Sequence, residues 1–252
     1  LNERWFQDAP PKYLHASAAG GMALQASVAE RWRELTGTPI VEGYGLTESS
    51  PVLTFNLLTG LAKDGTIGIP VPSTEVKCVD ENGNEVTIGE SGEIIARGPQ
   101  IMQGYWQKPE ETAKTLKNGW LHTGDIAQMD ADGYFTIVDR LKDMILVNGF
   151  NVYPNEIEEE IAAVPGVLEV GVIGVPDDKT GERVQAYVKA AIPAPSADEI
   201  IAHCRTKMTA YKIPKEIIFV DELPKSPIGK ILRRTLRDQA ISLSNNSDSK
   251  GA

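Results

Sequence analysis

The sequence predicts a mixed α/β and α+β chain in two parts: an α/β segment running into a small β-barrel-like subdomain, then a compact α+β domain. Three observations predict it. Near the start, a strand, a glycine turn, a helix and a second strand follow in order. From about Gly65 to Arg140, short runs of alternating character are broken by Asn-Gly and Asp-Gly turns. After Arg140, strands and amphipathic helices share about a hundred residues, an ordinary domain size.

Each element has a local reason. "KYLHASAAGG" reads as a strand entering a glycine turn, "ALQASVAERWREL" carries apolar residues at helical spacing, and "PIVEGYG" is a short strand. Asn82-Gly83 lies between two alternating runs, "STEVKCVDE" and "NEVTIG", which predicts a hairpin. "GEIIARG" is a strand, and "MDADGYFTIVDR" turns at Asp132-Gly133 and returns as another. "KDMILVNGFNVYP" reads as a hairpin-like unit. "NEIEEEIAAV" is a helix with Ile157, Ile161 and Val164 on one face, and "VLEVGVIGVPD" and "RVQAYVKAAI" are strands. Ser196 and Glu199 make a capping box that opens "ADEIIAHCRTKM". "EIIFVDELP" is a strand, "ILRRTLRDQAI" a closing helix, and "SNNSDSKGA" a polar, disordered tail. The expected domains are 1–140 and 141–240, with the tail at 241–252.

Composition narrows the function. The 252 residues are 41% hydrophobic and 24% charged, as in ordinary globular proteins. A formal net charge of -10 argues against a general nucleic-acid surface, which needs clustered Lys and Arg. The 2 cysteines, Cys78 and Cys204, read as buried reduced thiols, and the 3 histidines show no ligand spacing. No apolar run has transmembrane length and no signal peptide opens the chain, so a cytoplasmic setting is expected. Leu1 leads straight into mid-domain text, which predicts a piece of a longer chain.

Four stretches can carry chemistry. In "YGLTE", Tyr44 can stack on a base, Gly45 lets backbone approach closely, Thr47 can donate to phosphate, and Glu48 is the hard oxygen ligand that Mg2+ takes beside substrate phosphates. The bland alternative is a strand end with a capped loop. "GWLHTGD" ends in Asp125, which can accept both hydroxyls of a ribose, or is simply a turn between strands. "DRLKD", Asp139 to Asp143, alternates charge where the text changes domain, as a solvated linker also would. In "LPKSPIGKILRR", two prolines and Gly229 stiffen a loop that presents Lys230, a point charge suited to an oxyanion, ahead of a basic helix.

Taken in order, these stretches resemble the adenylate-forming superfamily of acyl-CoA synthetases, luciferases and adenylation domains. The resemblance runs from about "LHASAAGGM" to "LRDQA" and is strongest to the bacterial long-chain fatty-acid–CoA ligases, through "EGYGLTE", "GYWQKPEET", "GFNVYPNEIEE" and "DELPKSPIGKILRRTLRD". It implies the C-terminal part of a large adenylate-forming domain followed by a small mobile domain. It implies the substrates ATP, CoA and a fatty acid, with Mg2+, passing through an acyl-adenylate. Thr47 would contact phosphate, Glu48 hold Mg2+, Tyr44 pack on adenine, Gly20 and Gly21 line the base, and Gly45 sit close to the nucleotide. Asp125 would take the ribose hydroxyls and Arg140 contact ribose or phosphate. Lys230 would bridge the carboxylate and the α-phosphate, Lys142 would be the hinge, and the loop around Gly149 would help form the pantetheine tunnel. The family's Ser/Thr/Gly-rich phosphate loop has no counterpart here, so the chain is expected to be inactive alone. The alternatives are an aryl- or medium-chain ligase and a non-catalytic nucleotide- or CoA-binding module. Peripheral contact of "KILRRTLR" with an inner membrane face, and a homodimer, are left open.

Overall fold

The computed structural model describes residues 1, 3–21, 24, 26–58, 61–227 and 229–248. It divides into two compact units, Leu1–Val138 and Asp139–Ala252.

The first unit opens with a short helix, α1 (Arg4–Asp8), followed by β1 (Ser17–Ala19), α2 (Ala26–Thr36) and β2 (Ile40–Tyr44). β1 and β2 pair in parallel, Ser17 opposite Ile40, as a strand–helix–strand crossover requires. β3 (Thr54–Phe55) adds antiparallel to β2 and β4 (Ile69–Pro70) antiparallel to β3, giving the order β1-β2-β3-β4. A second sheet holds β5 (Glu75–Val79), β6 (Gly92–Arg97), β7 (Leu116–Lys117), β8 (Trp120–Met129) and β9 (Phe135–Arg140), with the short helix α3 (Pro109–Thr115) before β7. Its order is β5-β6-β8-β7, with β9 also on β8. Among the described residues these strands form an open, distorted sheet rather than a closed barrel. Its core gathers Ile67, Cys78, Ile94, Ala127 and Phe135, and the Tyr44 ring from the end of β2 packs against them.

The Asn82-Gly83 turn forms, with Gly83 at φ 82 and Asp80 Oδ1 accepting the Asn82 and Asn84 N–H groups. The expected return strand does not develop beyond a bridge between Val79 and Glu85. β6 pairs along the opposite edge of β5, with Val76 opposite Ala96 and Cys78 opposite Ile94. The polar return run gains only that bridge, whereas the more apolar "GEIIAR" pairs along the whole of β5.

The second unit contains β10 (Ile145–Val147), β11 (Phe150–Val152), α4 (Pro154–Ala162), β12 (Val167–Asp177), β13 (Gly181–Ala190), α5 (Ala197–Lys207), β14 (Glu216–Phe219) and α6 (Arg233–Asp248). The sheet order is β11-β10-β13-β12, with β14 parallel to β13. One face buries Val170, Val172, Val184 and Ala186 against Ile157 and Ile161 of α4 and Ile200 and Cys204 of α5. The other buries Ile173, Val175 and Tyr187 with Leu223 and Leu236. Burial on both faces explains why "VGVIGV" reads as one apolar run. Ser196 and Glu199 form the capping box: Ser196 Oγ accepts the Glu199 N–H at 3.2 Å and Glu199 Oε2 accepts the Ser196 N–H at 2.7 Å.

α6 continues past residue 241, the expected start of a disordered tail, as far as Asp248. Its polar end extends a helix that is anchored by buried Leu236. Residues 249–252 lie outside the described residues. Among the described residues no helix is long and apolar enough to cross a membrane.

Candidate active site

In the first unit, the C-terminal end of β2 delivers Tyr44 and the loop after it. Gly45 sits where a Cβ would lie 1.8 Å from the Pro51 carbonyl oxygen, so only glycine fits that crossing. A 3-10 turn, Thr47–Ser49, follows. Buried Ser49 ties it down: its hydroxyl donates to the carbonyls of Leu46 and Pro51 and accepts the Leu46 N–H. Thr47 is left exposed and Glu48 half-buried. Tyr105 donates its phenol to Glu48 Oε1 at 2.7 Å, and this bond to the carboxylate, together with burial, raises the Tyr105 pKa. Gly20 and Gly21 stand at the end of β1; the backbone of Gly20 passes close to the Gly43 carbonyl, and Gly21 has φ +85. Met22 of the same loop lies outside the described residues.

Asp125 lies in β8, 7% exposed, and accepts the Tyr44 phenol at 2.6 Å across 81 residues of sequence. The two residues expected to hold base and ribose are therefore in direct contact. Asp125 is aimed by an irregularity in the ladder: Glu93 pairs with Ile126 and Ile95 with His122, so Thr123, Gly124 and Asp125 stand against Ile94 alone. Such bulges re-aim side chains. Gly124 takes φ +71 to make the turn. Side chains satisfy the interrupted ladder. Thr123 Oγ1 donates to the Ile94 carbonyl at 2.8 Å and accepts the Asp125 N–H at 3.1 Å. Glu93 Oε1 accepts the Gly124 N–H at 3.0 Å, and Glu93 Oε2 meets His122 Nδ1 at 2.7 Å. Sequence reading missed Glu93, His122 and Tyr105, because nothing local marks a residue on one strand as the support of a turn on another.

In the second unit, Asn148 and Gly149, at φ 51 and 81, form the exposed turn between β10 and β11. Arg140 ends β9 and Lys142 lies in a 3-10 turn, Leu141–Asp143; both are exposed. Exposed Lys230 closes a tight loop, its N–H on Ser226 Oγ at 3.1 Å and its carbonyl accepting the Ser226 N–H at 2.8 Å. Gly229 has φ +85, while Ile228 lies outside the described residues.

Three residues beyond Lys230, Arg233 is the hub of a buried charge network. Its guanidinium reaches Glu158 at 2.7 and 3.0 Å, Asp139 at 3.2 Å and Asp143 at 3.6 Å, and it donates to the side-chain oxygen of Asn155. Asp139 also accepts the backbone N–H groups of Arg140 and Asn155, each at 2.7 Å. Burial pushes the Asp139 and Glu158 carboxyls up, against the pull of Arg233. The hub ties the "DRLKD" stretch, the start of α4 and the start of α6 together. Nothing in "KILRR" distinguished Arg233 from its exposed neighbour Arg234. Arg237 pairs with Asp143 at 3.7 Å, so the basic helix spends two of its arginines inside its own unit.

Residues 3–106 match the family model described as AMP-binding enzyme, and residues 156–230 match that of the AMP-binding enzyme C-terminal domain. The chain carries a segment of the AMP-binding enzymes and one of their C-terminal domain. It is 54% identical over 95% of its length to the long-chain-fatty-acid–CoA ligase of Escherichia coli O157:H7, covering 43% of that protein. To the feruloyl-CoA synthase of Amycolatopsis sp. it is 43% identical over 93% of its length, covering 48% of that protein. Among solved structures, ATP-bound MatB from Rhodopseudomonas palustris superposes with a TM-score of 0.83 at 36% identity, over 89% of this chain and 45% of that one. The chain thus spans under half the length of the relatives it matches.

Glu48 fits a Mg2+ role in one respect: it is a hard carboxylate beside the proposed phosphate contact, and Mg2+ bound with substrate phosphates needs only one or two carboxylates from protein. Among the described residues no group of three or more potential metal ligands occurs that would hold a metal without substrate.

Proposed function

We propose that the whole polypeptide carrying this chain is an ATP-dependent, AMP-forming acyl-CoA ligase for long-chain fatty acids. The observation that supports it most is the Tyr44–Asp125 contact, a ring and a carboxylate side chain joined at 2.6 Å, within a chain 54% identical to long-chain ligases. In this reading Tyr44 packs on adenine and Asp125, with its rotamer held by the Tyr44 phenol, accepts the ribose hydroxyls. Gly20 and Gly21 line the base, and Gly45 keeps the loop tight enough for Thr47 to reach phosphate. Glu48 holds Mg2+, which supplies positive charge against the polyphosphate.

A fatty-acid carboxylate oxygen attacks the α-phosphorus of ATP, and the bond from that phosphorus to the bridging oxygen breaks to release pyrophosphate. Lys230 bridges the two anions, with Arg140 on the ribose or phosphate. The thiol of CoA then attacks the acyl carbonyl, loses its proton, and AMP leaves. Lys142 is the pivot of the second unit between these steps, and the exposed turn at Gly149 enters the pantetheine path. The proposed domains are the C-terminal part of the large domain and the small mobile domain. The Arg233 and Arg237 ion pairs favour packing of α6 over lipid contact. Peripheral attachment and a homodimer remain subordinate proposals.

An aryl substrate is the second reading, because a feruloyl-CoA synthase is 43% identical. ATP–pyrophosphate exchange over fatty and aryl carboxylates tests both. Exchange with long acyl chains is expected, falling on the order of a hundredfold or more in Lys230→Ala, and the 252-residue chain alone is expected to show none. Preference for aryl acids would transfer the function to the second reading. No exchange with any acid would leave a nucleotide-binding module.

A further inference from the structure

We infer that Glu93 is a positioning residue for ribose recognition: its carboxylate holds the Gly124 turn in the form that aims Asp125 at the nucleotide. The inference rests on the reading of Asp125 as the ribose acceptor. It starts from an accounting of backbone groups. A ladder that sets three residues of β8 against one of β6 strands at least one N–H, and a buried N–H without an acceptor is costly. Glu93 supplies the acceptor for Gly124 at 3.0 Å.

That carboxylate cannot swing away freely. Its other oxygen is engaged by His122 Nδ1 at 2.7 Å, and both side chains are only 17% exposed. Residues 122 and 124 flank Thr123, so Glu93 grips the turn on both sides while Thr123 Oγ1 takes the Asp125 N–H at 3.1 Å. The result is a side chain, not a ladder, that sets the direction of Asp125. The Tyr44 phenol meets it from the opposite strand system. Glu93 touches neither base nor ribose in this scheme; it acts only through Gly124.

The test is a substrate-deletion comparison in the full-length enzyme, reading the ratio of kcat/KM for ATP to that for 2′-deoxy-ATP and 3′-deoxy-ATP in pyrophosphate exchange. A general loss of stability lowers activity with all three nucleotides together and leaves the ratio alone. A hydrogen bond to a charged group gives wild type a preference for ATP of about tenfold to a hundredfold. Asp125→Ala is expected to bring the ratio close to one, and Glu93→Ala to do the same. Glu93→Gln keeps an oxygen for the Gly124 N–H and an N–H for His122 in its other tautomer, and is expected to retain the preference.

If Glu93→Ala keeps the wild-type ratio while Asp125→Ala loses it, the positioning role is wrong and the ribose reading stands. If Asp125→Ala also keeps it, the ribose reading falls and takes this inference with it. Should Glu93→Ala fail to fold, Gly124→Ala replaces it, since it strains the left-handed turn while its methyl meets open space. Loss of the ratio there supports the inference and retention overturns it.

Discussion

Replacing Arg233 by Met removes the one guanidinium that Asp139, Asp143 and Glu158 share. The Asp139 side chain is fully buried, and Arg233 itself is 13% exposed, so the methionine leaves carboxylates that water cannot readily reach. Breaking a buried pair in this way costs about 3–5 kcal/mol. Asp139 keeps two backbone N–H donors and Glu158 keeps the N–H of Val172, which places the loss near the lower bound, about 3 kcal/mol. For a unit of this size that is roughly a 12 °C fall in its melting temperature.

The pH dependence carries a definite sign. Burial raises the pKa of Asp139 above 3.8 and of Glu158 above 4.5, and Arg233 opposes both shifts. Without the arginine both rise further. A carboxyl with a raised folded-state pKa contributes stability that is complete below its unfolded value and lost as pH climbs through the raised one. The deficit of Arg233→Met is therefore largest at about pH 7 and shrinks as the pH falls towards about 4.5. Thermal unfolding followed by circular dichroism at the two pH values measures it. A loss under about 1 kcal/mol, or one that does not change with pH, would refute the view that this network anchors the second unit.

Two further outcomes are expected. Gly45→Ala places a methyl 1.8 Å from the Pro51 carbonyl oxygen and 2.9 Å from the Val52 Cα, so backbone must move; a loss of about 3 kcal/mol in denaturant melts is expected, at the upper end for overpacking, and a loss near zero would contradict the crossing. The Cys78 thiol is pushed up to about 11, first by burial and then by the charge of Glu85, and burial also raises Cys204. Neither thiol should react with a disulfide reagent at about pH 8 in the folded chain, while both should react in urea, where the ordinary value near 8.5 returns; rapid labelling of the folded chain would contradict their placement.

Much of the second unit was legible because its local signals agree with its tertiary needs. Ile157, Ile161 and Val164 stand at helical spacing and all three are buried, although the helix itself ends at Ala162. Ser196 and Glu199 are three apart, the spacing at which each reaches the other's backbone. In the first unit, local and tertiary preferences part. The Asn82-Gly83 turn was read correctly, yet its polar return run reaches only a bridge to Val79, while β6, which begins at Gly92, pairs along the whole of β5 on its other edge. The candidate site was legible as a set of chemical types: Tyr44, Glu48, Asp125 and Lys230 stand out as residues that phosphate and ribose chemistry needs. Their supports were not. Glu93, Tyr105 and Arg233 act across 31, 57 and 94 residues of sequence, on Gly124, Glu48 and Asp139, and no window of local text contains both ends of such a contact.

Each unit supplies its own supporting contacts. The contacts that aim Asp125 come from β2, β6 and β8, and those that gather "DRLKD" with the start of α6 come from α4 and its neighbours. Recombination has an easy place to cut as a result. An exchange between relatives close to the junction of the two units carries the supports of Asp125 with one half and the Arg233 network with the other, so neither set of contacts has to be rebuilt.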